Sequence, residues 1–276
     1  MKKNYWCRVI GLATVFVVFL GCSSLKEKKR GQEQYPLPKQ VPKEQKPSEK
    51  EDLAVKIDEL LNKIVAAAER VEDYTCIFTK QEYVKGKMRP TETIFMKHKK
   101  EPHSVYMKWV KKPYLDRECL YSEGKYDNKL KVHEGHGLKS LFGTLSLNPK
   151  GAMAMKGNRH AITKAGIFNT IRLIEKDFEL AKSHPEHNVL HERFEKKEIH
   201  GQPSFCMFIV HPKDRELGYY AHKAEICTHQ KLHLPTSVKI WDFTGSLVEF
   251  YTYREYKINV GLTDKDFDIK NKEYDF

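Results

Sequence analysis

The stretch from Asp73 to Ser122 sets the strongest limit on what this chain can become, because it reads as four strands in succession. Asp73-Tyr74-Thr75-Cys76-Ile77-Phe78-Thr79-Lys80-Gln81-Glu82-Tyr83 is dense in β-branched and aromatic residues and offers no helix-length apolar face. Val84 to Pro90 holds a glycine for a turn and a proline that stops a helix, so the chain reverses there. Thr93 to Lys97 is the return strand. After a turn at Glu101-Pro102-His103, Val105, Met107 and Trp109 alternate with Tyr106 and Lys108, the period-two pattern of a strand with one apolar face. Arg117 to Tyr121 makes the fourth. The result is an antiparallel meander, and every later element must extend it or pack on it.

Two amphipathic helices bracket the middle of the chain. Leu53, Ile57, Leu60, Leu61, Ile64 and Ala68 recur at helical spacing after Ser48-Glu49-Lys50-Glu51, which has the form of a capping box. Ile167, Ile171, Ile174, Phe178 and Ala181 do the same and stop before Pro185. Between the meander and this second helix, short strands are expected at Leu130 to Val132 and near Ser140 to Leu147. After it come Val189 to Ile199, Ser204 to His211, His222 to Thr228, Thr236 to Phe243 and Leu247 to Tyr256, separated by glycine- and proline-bearing turns. Leu262 to Phe267 reads as a capped helical turn. The fold class is therefore α+β: a strongly curved antiparallel sheet of about ten strands, an incomplete β-barrel, with two helices over its concave face.

The first residues read as an address. Lys2, Lys3 and Arg8 precede an apolar run from Val9 to Leu20 that is short for a membrane span, and Gly21-Cys22 closes it. Ser24 to Lys50 carries four prolines with many Lys, Glu and Gln and little to bury, the composition of an extended tether. Residues 1–21 are thus expected to be a signal peptide, 22–47 a disordered linker, and 48–276 one folded domain. The net charge of +12 is spread among acidic residues rather than gathered into a stripe with aromatic platforms, so nucleic acid is not an expected partner. Attraction to anionic lipid or wall polymer, or plain solubility, accounts for it.

Chemistry is sparse. No Gly-x-Ser-x-Gly, His-Glu-x-x-His, phosphate-binding glycine loop or Cys-x-x-Cys occurs, so the reading is of a non-enzyme with no catalytic residue, cofactor or metal. His184, His187 and His191, and His133 with His136, are two histidine clusters read as solvated loop residues. Glu82, Asp116, Arg117 and Glu118 lie near strand ends, and the expectation places them on the wet face of the sheet. Cys76, Cys119, Cys206 and Cys227 allow three pairings; a hairpin of Phe205 to His211 with His222 to Thr228 would set Cys206 opposite Cys227.

Two resemblances add to this. Phe19-Leu20-Gly21-Cys22 resembles the bacterial lipobox, with Phe19 where Leu is usual, which implies acylation of Cys22 and a lipid anchor. Ser23 after it is similar to the pattern of lipoproteins moved to the outer membrane. Asp73-Tyr74-Thr75-Cys76, Ser104 to Trp109, Arg117 to Tyr121, Asn148-Pro149-Lys150-Gly151, Arg159-His160-Ala161-Ile162 and Asn259 to Phe267 resemble the bacterial family called domain of unknown function 1571. More distantly, the order of elements resembles the LolA-like lipoprotein-carrier superfold, which implies a hollow for acyl chains. A curved, one-sided sheet under two helices either fills with side chains or leaves such a hollow, and Phe78, Phe95, Met107, Trp109, Tyr121, Phe208 and Phe250 are its candidate walls. The expected function is an exported, membrane-anchored lipoprotein of the cell envelope that binds a lipid or lipoprotein acyl group. A solid-cored interaction or sensor module and a lipid- or wall-modifying hydrolase are the alternatives.

Overall fold

The computed structural model describes residues 47–135 and 143–276. The proposed leader, Cys22, the linker and His136 fall outside them. Helix α1 (Pro47–Glu69) precedes strands β1 (Asp73–Val84), β2 (Lys87–Met88), β3 (Glu92–Lys99), β4 (Ser104–Trp109), β5 (Glu118–Ser122), β6 (Leu130–His133) and β7 (Leu145–Leu147). Helix α2 (Ile167–Ser183) is followed by β8 (Leu190–Ile199), β9 (Gln202–Val210), β10 (Lys223–His229), β11 (Pro235–Trp241) and β12 (Leu247–Ile258). The twelve strands form one antiparallel sheet in the order β7-β6-β5-β4-β3-β1-β12-β11-β10-β9-β8, with β2 paired to β1 alone. The count exceeds the expected ten partly because β2, only two residues long, extends the first hairpin. Near the expected strand from Ser140, only Leu145–Leu147 is described as strand.

Each half of the sheet is a meander, and the halves meet at β1 and β12, the first and last strands of the chain. Closing that central seam brings together residues about 170 positions apart, a slow step for a chain to complete. Lys80 pairs with Tyr251 and Glu82 with Glu249. Farther along, β12 gains one residue on β1: Ile77 faces Arg254, but Thr75 faces Lys257. This bulge reverses the side-chain parity, so Tyr253 and Tyr256 both reach the main core, as near-parallel rings 6.2 Å apart.

The concave face holds that core. Tyr74, Cys76 and Phe78 of β1, Ile94 and Met96 of β3, Val105 and Met107 of β4, and Met207 and Ile209 of β9 pack with Ile57, Leu60 and Ile64 of α1 and Ile167, Ile171, Ile174 and Phe178 of α2. Helix α1 rests on α2 and β8. The convex face is partly covered as well: residues 262–276 lay Phe267, Tyr274 and Phe276 over Tyr106, Leu120 and Phe95, with Tyr106 and Tyr274 stacked 3.9 Å apart. The Asp73 carboxylate fastens this segment by accepting the backbone N–H groups of Val260, Gly261 and Leu262 at 2.8–3.1 Å. Its helical turn at Asp264–Phe267 is capped reciprocally by Thr263 and Asp266. Cys206 and Cys227 stand opposite one another on β9 and β10 and form a disulfide; Cys76 and Cys119 are buried thiols.

Candidate functional site: a cavity with a charged seam

A cavity of about 1070 Å³ lies between the concave sheet and α2. Its floor on one side is Met96, Met107, Trp109, Cys119, Leu130 and Val132, and on the other Ile209, Ala224, Ile226, Val238 and Ile240. Helix α2 supplies the roof through Thr170, Leu173, Ile174 and Phe178, and the loop of residues 153–166 supplies the near wall. No described side chain of α1 lines it. Helix α1 covers the concave face beside the cavity, against α2 and β8.

The middle of this floor is ionic. On β1, Lys80 and Glu82 share the face of Phe78, and on β12 Glu249 and Tyr251 share the face of Tyr253. Glu249 is only 3% exposed. One of its oxygens accepts Arg159 Nε at 2.8 Å, faces His160 Nε2 at 3.0 Å and takes a short hydrogen bond from the Tyr220 hydroxyl. Burial works to raise its pKa, but the bonds from His160, Tyr220 and Arg159 prevail and hold the carboxyl below its usual range. His160 moves the other way: burial works to lower it, and the Glu249 carboxylate wins and raises it. Glu82 accepts the Tyr251 hydroxyl at 2.7 Å and the Arg159 backbone N–H at 3.0 Å. Lys80 donates to Asn158 and lies 3.4 Å from Glu82 and 3.7 Å from Glu92, whose other oxygen accepts Trp109 Nε1 at 2.6 Å. The loop carrying Asn158, Arg159 and His160 is thus pinned to the seam by side chains of both central strands.

Asp177 joins the roof to the rest. Its carboxylate accepts the Tyr220 backbone N–H, at 3.1 Å for the nearer oxygen, and burial, opposed by that bond, pushes its pKa up to about 6. An acid whose pKa is higher folded than unfolded keeps its proton longer in the folded state, so its ionisation weakens the fold as pH rises from about 4 to about 6. Asp177→Asn should remove this component, worth at most about 3 kcal/mol. Urea unfolding of both proteins at several pH values checks it; parallel pH profiles would refute it.

A family model described as a protein of unknown function (DUF1571) matches residues 71–276. The chain belongs to this DUF1571 family. No curated protein matches it. Among solved structures it is similar to the lipoprotein LppX of Mycobacterium tuberculosis, with 12% identity over 76% of this chain and 99% of that chain and a TM-score of 0.41. It is also similar to a LolA superfamily protein of Nitrosomonas europaea, with 10% identity over 76% and 96% and a TM-score of 0.31. For the MucA/MucB complex of Pseudomonas aeruginosa the figures are 12% identity, 77% and 60%, and a TM-score of 0.40.

Within this DUF1571 domain, Phe78, Met107 and Trp109 line the cavity, and the other four wall candidates do not. Phe95 points to the convex side, beside the 262–276 segment, because Ile94 and Met96 on either side of it face inward. Phe208 is convex for the same reason, lying between Met207 and Ile209, and packs on Trp241 with the Arg193 guanidinium over its ring. Phe250 alternates with Glu249 and Tyr251 and has Lys239 over its outer face. Tyr121 does face the core, but His103 and the 160–166 segment plug that end of the concave face.

The charged residues depart further from expectation. Glu82, expected on the wet face, is 4% exposed and inside the cavity. Glu118 is fully buried on the convex side, bonded to Lys108 at 2.7 Å and to the Asp275 N–H. Arg117 clasps Glu134 at the cavity wall and stacks on Tyr114. Asp116 sits in the turn before β5 with φ 61. Glu249 and Tyr220 are not among the expected site residues, and Arg159 enters the sequence analysis only within the family motif. A signal did exist, since Lys80 and Glu82 stand two and four residues beyond Phe78 and so share its face.

Of the histidine clusters, His184 contacts Glu186 at 2.9 Å and His187 contacts the Tyr219 hydroxyl at 2.9 Å. Ligand atoms of His184, Glu186 and His187 lie within 4.8 Å of one another on the surface. His191 is apart from them, stacked on Phe178.

Proposed function

We propose that this chain is an exported protein, held at the bacterial envelope by acylated Cys22, that binds a lipid or a lipoprotein acyl group in the cavity under α2. The observation that carries this reading is the cavity itself: about 1070 Å³ of space with Met, Leu and Val on one side of its floor and Ile, Ala and Val on the other. Burial of hydrocarbon against such walls contributes about 0.8 kcal/mol per methylene. No helix among the described residues is long and apolar enough to cross a membrane, which suits attachment through a lipid. An envelope position, on the periplasmic face of the outer membrane, follows from the leader, the lipobox and Ser23.

The convergence of His160 with Glu249 and Tyr220 favours a hydrolase as a second reading. The protonation chemistry speaks against it. Glu249 is held ionised with one oxygen taken by three groups, which suits a counter-ion better than a base. Burial pushes the Cys119 thiol up to about 12 and the Tyr220 hydroxyl higher than its usual value, so neither is an activated nucleophile.

Native mass spectrometry of the full chain, purified from its producing cells, tests the carrier reading. A co-purified amphiphile displaced by a fluorescent fatty acid is the expected result. A bare protein that takes up no probe would refute it. Labelled palmitate should be incorporated and should disappear in Cys22→Ser; label that persists removes the anchor.

A further inference from the structure

The cavity is divided by its own floor. Because β1 and β12 are central in the sheet, Lys80, Glu82, Glu249 and Tyr251 form a polar seam between two apolar lobes. One lobe lies over β3 to β6, with Met96, Met107, Leu130 and Val132. The other lies over β9 to β11, with Ile209, Ile226, Val238 and Ile240. A single hydrocarbon chain filling both would lay methylenes across buried charges, whereas two chains joined at a polar centre would leave the seam facing polar atoms.

The wall also carries an uncompensated charge. Every acidic residue lining the cavity already accepts a donor: Glu82 from Tyr251, Glu92 from Trp109, Glu134 from Arg117, Asp177 from the Tyr220 N–H, and Glu249 from Arg159. Arg89, Lys156, Lys164, Arg172 and Lys176 line the same cavity, and no ion pair among the described residues involves them. Arg172 and Lys176 lie one turn apart on α2 and flank Leu173, which is 37% exposed. On the loop, Lys156 lies near Met153, which is 66% exposed. The Arg89 guanidinium lies over Gly157, where an added Cβ would come within 3.4 Å of it. Free cations interleaved with exposed apolar side chains match a ligand that is acidic at the end where it is also greasy.

We propose that the ligand is a two-chain amphiphile with an acidic headgroup, a phosphate or carboxylate. One chain occupies each lobe, and the headgroup rests on Arg89, Lys156, Arg172 and Lys176. This rests on the lipid-binding reading above and narrows it.

Trp109 reports on the cavity directly, since it lines one lobe, while Trp241 packs on Phe208 at the convex face. The full chain is titrated with submicellar brominated lipids, with Trp109→Phe supplying the background from the other tryptophans. Brominated-chain phosphatidic acid should quench Trp109 at concentrations at least ten-fold lower than phosphatidylcholine with the same chains, and ten-fold lower than the one-chain lysophosphatidic acid. Arg172→Glu with Lys176→Glu, two exposed side chains, should erase the first difference.

Equal quenching by the acidic and zwitterionic lipids would overturn the headgroup assignment while leaving the lipid reading intact. Equal quenching by one- and two-chain lipids would overturn the two-lobe assignment. Displacement of phosphatidic acid by equimolar inorganic phosphate would mean that the cations bind the free anion, and would overturn the proposal. No quenching by any lipid would remove the lipid reading itself.

Discussion

Glu249→Ala is expected to destabilise the protein by about 3 kcal/mol, a large fraction of the stability of a typical domain. The carboxylate is the common partner of Arg159, His160 and Tyr220, and removing it takes from the Arg159 guanidinium, the His160 ring and the Tyr220 hydroxyl the one anion they share at the cavity wall. Breaking a buried ion pair commonly costs about 3–5 kcal/mol. The lower end applies here because the Arg159 and His160 side chains are about one-third exposed, so water recovers part of the loss. Glu249→Gln keeps an acceptor without the charge and should cost roughly half as much. Urea-induced unfolding at pH 7, followed by far-UV circular dichroism, measures both. A loss below about 1 kcal/mol for Glu249→Ala would mean that the seam contributes little to holding the loop, contrary to the geometry.

Gly166→Ala should be comparably damaging for a steric reason. Gly166 has φ +103 at the start of α2, and a Cβ there would lie 2.3 Å from His98 Nε2 and 2.4 Å from Cδ2. His98 cannot move aside. It is fully buried, stacked on Tyr74 at 5.1 Å, with Phe168 and His103 on its other sides and Nε2 against the Ala165 carbonyl at 3.3 Å. Burial drives its pKa down to about 3, so the ring is neutral at ordinary pH and its one proton serves that carbonyl. Forced backbone strain and overpacking together should cost about 3 kcal/mol or more and shift the first turn of α2, the roof of the cavity. Gly86→Ala is the control: its φ is +82, but nothing lies within 4 Å of the new Cβ, so about 1 kcal/mol is expected. Chemical denaturation of the two variants should separate them clearly; equal losses would refute the clash with His98.

Several elements were legible because their physics is local. The alternation of Val105, Met107 and Trp109 needed only neighbouring residues to announce a strand, and Ile167, Ile171, Ile174 and Phe178 announced the second helix in the same way. The curved sheet with helices on its concave side followed from summing such segments. The walls were harder, and the errors share a cause. Phe95, Phe208 and Phe250 have the size of wall residues, but direction in a strand is set by parity, and the inward parity belongs to Ile94, Ile209 and Tyr251. Tyr121 has the right parity, yet a segment some 40 residues later closes over it, and no local pattern encodes that closure.

The sequence by itself determined the strands, the two amphipathic stripes and the turns, since each depends on interactions between residues a few positions apart. Tertiary structure alone decided that the first and last strands pair. That pairing carries Glu82 to Glu249 and lets a loop 77 residues downstream of Glu82 bring Arg159 to both. An ion in an apolar floor is tolerable only when its partners arrive from distant parts of the chain, so the charged seam exists only once the sheet has closed at its centre.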